Sequence, residues 1–173
     1  MELDFFYKVK MLNQWRLGIG GFVDLNCGWY CQYALLLWYC KKNYLPINIF
    51  NSAVEYNRTS FGFDPTDSLC RPIFIPNNIF EYRDKLLKHG PVIASGKVGL
   101  ANFGALGGLR HYVLIVGVRA KTNDIIICDP LSISFRNLKQ SDPKIYKFNS
   151  FVKNIDETLI INKYSINAFI GNK

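Results

Sequence analysis

Arg110-His111-Tyr112-Val113-Leu114-Ile115-Val116-Gly117-Val118, followed after a polar gap by Ile125-Ile126-Ile127-Cys128-Asp129-Pro130, is the stretch that decides the fold. Both apolar runs are short, rich in β-branched residues and bounded by turn formers, so each reads as a buried strand. Thr122-Asn123-Asp124 supplies the turn, and the two strands make a hairpin over 111–119 and 125–129. One strand opens on a histidine and the other ends on an aspartate.

Upstream, Asn26-Cys27-Gly28-Trp29-Tyr30-Cys31 begins a run that stays apolar to about Tyr44, with Lys41-Lys42 near its end and Pro46 beyond. Apolar positions on every side predict a helix buried all round at the centre of the domain. Gly18, Gly20 and Gly21 make the approach to Cys27 an irregular loop. A short helix is expected around 47–57, and Pro65, Pro72 and Pro76 make 58–77 mostly loop. Asn77-Asn78 can cap a helix running to His89, with Phe80, Leu86 and Leu87 inward and Lys85 and Lys88 outward. Gly90-Pro91 ends it and launches a strand at 92–97; Gly99 to Gly108 reads as a mobile loop. The tail has weaker strand or helix signals at 145–152 and 158–170. A helix first and antiparallel strands after is an α+β pattern.

The chain has 173 residues, 49% hydrophobic and 20% charged, which suits one globular domain spanning 1–173. No run approaches the length of a membrane span. The acidic start, Met1-Glu2-Leu3-Asp4, lacks the basic region of a signal peptide. The net charge of +8 is spread along the chain, and no nucleic-acid-binding signature accompanies it. Arg136, Lys139, Lys144, Lys147 and Lys153 form the mildest cluster, read as a solvated basic face or as attraction to an acidic protein surface. Five cysteines, at 27, 31, 40, 70 and 128, are an odd number without regular spacing. Reduced thiols in a cytosol-like compartment are favoured, with a single bridge from Cys70 to Cys31 or Cys40 left open.

Cys27, His111 and Asp129 can supply a nucleophile, a base and an orienter. A cysteine at a helix N-terminus meets free N–H groups and the positive end of the dipole, which favour a thiolate. Gly28 lets the backbone approach a substrate, and the Cys27 amide can face an oxyanion. The plain alternatives are a buried structural cysteine, a satisfied core histidine and a turn-forming aspartate. His89, in the last turn of its helix, has a structural role in satisfying terminal carbonyls. A zinc site from Cys27, Cys31, His111 and Cys128 fits poorly, because its second ligand would lie inside a buried helix. No metal or other cofactor is called for. Residues 128 and 129 alternate on a strand, so Cys128 is expected to face away from a site that Asp129 faces.

Cys27-Gly28-x-x-Cys31 opening a buried helix resembles the papain-like cysteine peptidases, in particular those that trim double-glycine leaders from bacteriocins and the papain-like effector and toxin domains of pathogens. The order Gly90-Pro91, His111 to Gly117, then Asp129-Pro130 is similar too. Cys27 and His111 are 84 positions apart (111 minus 27), and His111 and Asp129 are 18 apart (129 minus 111). The likeness covers roughly 12–135 and leaves the remainder of the chain unexplained. It implies a papain-like fold, with the helix carrying Cys27 packed on a small antiparallel sheet carrying His111 and Asp129.

The resemblance also implies a thiol hydrolase, with no cofactor, cleaving amide bonds. Peptidase stands first; glutamine or asparagine deamidase, peptidoglycan amidase and a catalytically silent binding module are the alternatives. Many family members carry a glutamine six positions before the nucleophile, where this chain has Gly21. Gln14, or Asn26 or Asn13 in its place, would then complete the oxyanion hole. The implied setting is a monomeric bacterial effector or toxin, secreted or delivered into a target cell, that meets a protein or peptide substrate.

Overall fold

A computed structural model of the chain describes residues 4–12, 27–50, 69–98, 110–132 and 140–171. The loop over Gly99–Gly108, the glycine-rich approach to Cys27 and the whole of 51–68, including the later part of the helix expected around 47–57, lie outside the described residues. Nine strands are described: β1 (Asp4–Phe6), β2 (Met11–Leu12), β3 (Cys70–Ile73), β4 (Val92–Gly96), β5 (His111–Arg119), β6 (Asp124–Cys128), β7 (Gln140–Ser141), β8 (Pro143–Lys147) and β9 (Ile155–Ile161). The helices are α1 (Cys27–Lys42), α2 (Ile79–His89), α3 (Phe148–Val152) and α4 (Lys163–Gly171), with a 3-10 turn at Ile47–Phe50. The fold is α+β.

The main sheet is antiparallel, in the order β3-β9-β4-β5-β6-β8, with β1 paired to the far end of β5; β2 and β7 form a separate pair. Alternation along the strands sends one set of side chains to each face. Ile93, Leu114, Val116, Ile126, Cys128 and Leu159 pack with Cys31, Leu35 and Leu36 of α1. Val92, Val113, Ile115, Ile125, Ile127 and Ile160 pack with Ile79, Tyr82 and Leu86 of α2 and with Phe148 and Phe151 of α3. Each fully buried aliphatic side chain stabilises the fold by about 1.5–3 kcal/mol, so β4, β5 and β6, lined on both faces, form its centre.

α1 begins at Cys27 as expected, but it is not buried all round. Trp29, Tyr33, Leu37 and Trp38 remain half-buried along its outer side, and Trp29 stacks on Tyr33 at 5.2 Å between ring centroids. α2 is capped by Asn78, whose side chain accepts from the Glu81 N–H at 3.0 Å. That cap fixes the helix phase, and the inward face is Ile79, Tyr82 and Leu86. Phe80 and Leu87, expected inside, are half exposed; Phe80 lies against the Arg83 guanidinium instead. His89 does not cap the carbonyls of its own helix. The Leu86 carbonyl receives the Gly90 N–H at 2.8 Å and the Tyr7 hydroxyl at 2.9 Å.

Two further differences come from pairing between distant segments. Residues 70–73, expected as loop because of Pro72, form an edge strand on β9, a place where a proline nitrogen can face away from its partner. The tail that the resemblance leaves unexplained supplies β9, inserted between β3 and β4. The sheet is therefore larger than the small one expected.

The β4–β9 pairing shifts register between Ser95 and Gly96, leaving Asp156 as the extra residue of a bulge. Gly96 sits there at φ +147°, paired to His111, and a Cβ on it would run into the Asn154 carbonyl. Gly96→Ala is expected to lower stability by about 2 kcal/mol or more, read as a lower urea midpoint. An unchanged midpoint would show that the bulge has freedom to relax.

Candidate functional site

Pairing of β5 with β4 and β6 brings the ends of three elements together. His111 is the first residue of β5 and lies opposite Gly96. Leu114 lies opposite Cys128, the last residue of β6, and Asp129 follows immediately. Cys27 is the first residue of α1, and α1 packs across β5. Sequence separation across the site is large, but the hairpin and one helix-on-sheet contact close it.

The His111 Nε2 and the Asp129 Oδ1 are 2.8 Å apart, with the two side chains 4% and 0% exposed. The same Asp129 oxygen accepts the Leu131 N–H at 2.8 Å, and the Asp129 carbonyl accepts the Ser132 N–H at 2.9 Å. The Asp-Pro turn thus holds the carboxylate in place, and turn-forming and histidine-orienting roles coexist in one residue. Cys27 lies close enough to the same imidazole to contribute to its raised pKa. With Nε2 committed to Asp129, Nδ1 is left for the thiol.

Burial alone would lower the His111 pKa. The hydrogen bond to the Asp129 carboxylate, helped by the neighbouring Cys27, outweighs it and raises the value to about 9. The imidazole is thereby held as imidazolium at neutral pH. Cys27 is 9% exposed. Burial raises the pKa of three other thiols: Cys31 well above the ordinary value, Cys40 upward, and Cys128 to about 12. All five cysteines are free and buried.

Cys128 does not turn away from the site's side of the sheet. It packs in the α1 core, and both it and Asp129 are close enough to Cys31 to raise that thiol's pKa. β6 ends at Cys128, so the alternation that separates neighbours within a strand no longer constrains Asp129. Among the described residues, no group of three or more His, Cys, Asp or Glu side chains is placed to hold a metal ion. Gly28 is buried in the first turn of α1. Gln14 and Asn26 lie outside the described residues.

A second polar group borders this site and was missed in the sequence. Through the β9 bulge, Asp156 and Glu157 both reach the Ser95 hydroxyl, at 3.1 and 3.3 Å. Arg110 bonds both carboxylates at 3.0 Å and Ser95 at 2.9 Å, and its guanidinium lies over the Tyr112 ring. The Tyr112 pKa is raised by burial first, then by Glu157, with Cys27 also contributing. Adjacent carboxylates in Asp156-Glu157 carry no local signal of this; only the bulge register makes them converge.

Neither a scan against protein-family models nor a search of curated proteins finds a match for this chain. The site therefore stands on its own geometry.

The raised His111 pKa has a definite sign. Stability from the His111–Asp129 pair is fully present below about pH 6.5 and is lost as pH rises through about 9. By NMR, the His111 ring is expected to titrate near 9 in the wild type and to fall toward or below 6.5 in Asp129→Asn. Wild-type titration already below 6.5 would show that burial outweighs the carboxylate.

Proposed function

We propose that the chain is a cysteine-dependent amide hydrolase of papain-like arrangement, with Cys27 as nucleophile, His111 as base and acid, and Asp129 as orienter. The observation that carries this reading is the buried 2.8 Å Nε2–Oδ1 bond, made by an imidazole whose neighbours include Cys27 at a helix start. A structural histidine needs only a partner; here its two partners are a fixed carboxylate and a thiol at the mouth of a helix dipole.

In the proposed reaction, the proton of the Cys27 thiol resides on His111 in a resting thiolate–imidazolium pair, and the thiolate attacks an amide carbonyl carbon. The oxyanion rests on backbone N–H groups at the start of α1, Cys27 and Gly28 among them, with Gln14 or Asn26 as the side-chain donor. His111 gives its proton to the departing nitrogen as the C–N bond breaks, leaving a thioester on Cys27. Water, deprotonated by His111, attacks the thioester, releasing the acid and restoring the thiol. Asp129 keeps the ring oriented and stabilises its charged form throughout.

This chemistry serves a backbone peptide or a side-chain amide equally. A protein target in a reducing compartment is the reading that five free cysteines support best. The resemblance to papain-like effector and toxin domains supports a chain delivered to its target. Peptidase stands first, with glutamine or asparagine deamidation as the other outcome of the same site.

Mass spectrometry of candidate target proteins incubated with the chain distinguishes these outcomes. Fragments indicate a peptidase; the small mass gain of amide-to-acid conversion indicates a deamidase. Cys27→Ala is expected to reduce either product by about a thousandfold or more without unfolding the chain. Full activity in Cys27→Ala would refute the catalytic reading.

A further inference from the structure

The face of the sheet opposite Cys27 carries a second feature. A groove of about 520 Å³ runs between the edge strand β3 and the second half of α2, lined by Arg71, Lys85, Lys88 and His89, with Phe74 at its lip. A neighbouring cavity of about 220 Å³ at the β3 edge of the sheet shares Arg71, Lys88 and His89 and adds Lys163 and Tyr164 from the start of α4, which packs on the α1 side through Ile166. These volumes suit a bound group of several side chains.

The groove is electropositive and its cations are unneutralised. Among the described residues, none of Arg71, Lys85, Lys88 or Lys163 enters an ion pair, whereas Arg83, Arg110 and Lys147 do. The acidic residues of α2 are engaged elsewhere. Glu81 accepts from Asn77 and Asn78 at the N-cap, and Asp84 pairs with Arg83. His89 reports the field: its pKa is lowered by burial first, then by Lys88, Arg71, Lys85 and Lys163. Phe74 and Tyr164 stand 96% and 86% exposed beside these charges, which places apolar contact surface next to the cations.

We propose that this groove is an exosite that takes an acidic segment of a protein, Asp or Glu carboxylates on the cations and an apolar side chain against Phe74 or Tyr164. The proposal rests on the reading that the chain acts on a protein. The opposite-face location separates it from the chemistry: Arg71 pairs with Ile160, whose side chain belongs to the α2 core, while Cys27 starts the helix on the other side. The cations are confined to a groove of a few side chains beside exposed Phe74 and Tyr164, so no long stripe tracks a polynucleotide backbone. Pro72 removes a donor from the β3 edge, which favours side-chain recognition over strand addition.

The test is fluorescence anisotropy with a short labelled oligoglutamate peptide containing one phenylalanine, on the full chain. Binding is expected to weaken with salt and to fall by about tenfold in Lys85→Ala/Lys88→Ala, substitutions that favour the helix. Lys144→Ala/Lys153→Ala, which removes the same charge elsewhere, is expected to leave affinity nearly unchanged. Equal loss in both double variants, equal binding of the glutamine analogue, or tighter binding of a labelled oligothymidylate would overturn the proposal. Repeating the titration on Cys27→Ala separates it from the hydrolase reading. Intact peptide binding in a wild-type chain that shows no hydrolase activity removes that reading and leaves the groove.

Discussion

The antiparallel register of β5 between β4 and β6 is the constraint on which the rest of the molecule depends. Pairing Gly96 with His111 and Leu114 with Cys128 sets the strand ends side by side, and a one-residue slip would send every side chain to the wrong face. The core enforces the register: Leu114, Val116, Ile126 and Cys128 must meet α1, while Val113, Ile115, Ile125 and Ile127 must meet the helices behind. Val116 is the extra residue of a bulge opposite β6, after which Gly117 makes room for the β1 backbone. The site is thus a by-product of packing, positioned to within a hydrogen bond by residues that make no chemical contribution themselves.

Charge is distributed to match. On the α1 side, Arg110 is balanced by Asp156 and Glu157, so the surroundings of Cys27 contain paired charges and one buried imidazole–carboxylate bond. On the far side and around the β3 edge, the groove cations of β3, α2 and α4 pair with no carboxylate among the described residues. A chain with a net charge of +8 therefore does not wear it uniformly. The cluster expected around Lys144 and Lys147 is partly neutralised, since Lys147 bonds Asp124 at 2.7 Å.

Local signals in the sequence were read correctly where the structure is local. The helix start at Cys27, the Asn78 cap and the hairpin over β5 and β6 are each set by neighbours in the chain. Phe80 and Leu87 were misplaced because hydrophobicity alone does not set helix phase; the cap at Asn78 does. β3 and β9 were legible only in part, because each depends on a partner 85 to 91 positions away, from the pairing of Ile73 with Thr158 to that of Cys70 with Ile161. The convergence of Asp156 and Glu157 on Arg110 and Ser95 was not legible at all, being a consequence of one bulge residue.

The central claim is that Cys27 and His111 work as one unit held by Asp129, and the most direct test is the pH dependence of iodoacetamide alkylation at Cys27. Cys27 should react ahead of the four other thiols near neutral pH, and His111→Ala should remove that advantage by about tenfold or more. Alkylation of Cys27 that follows an ordinary thiol's pH profile, unchanged when His111 is removed, would contradict it.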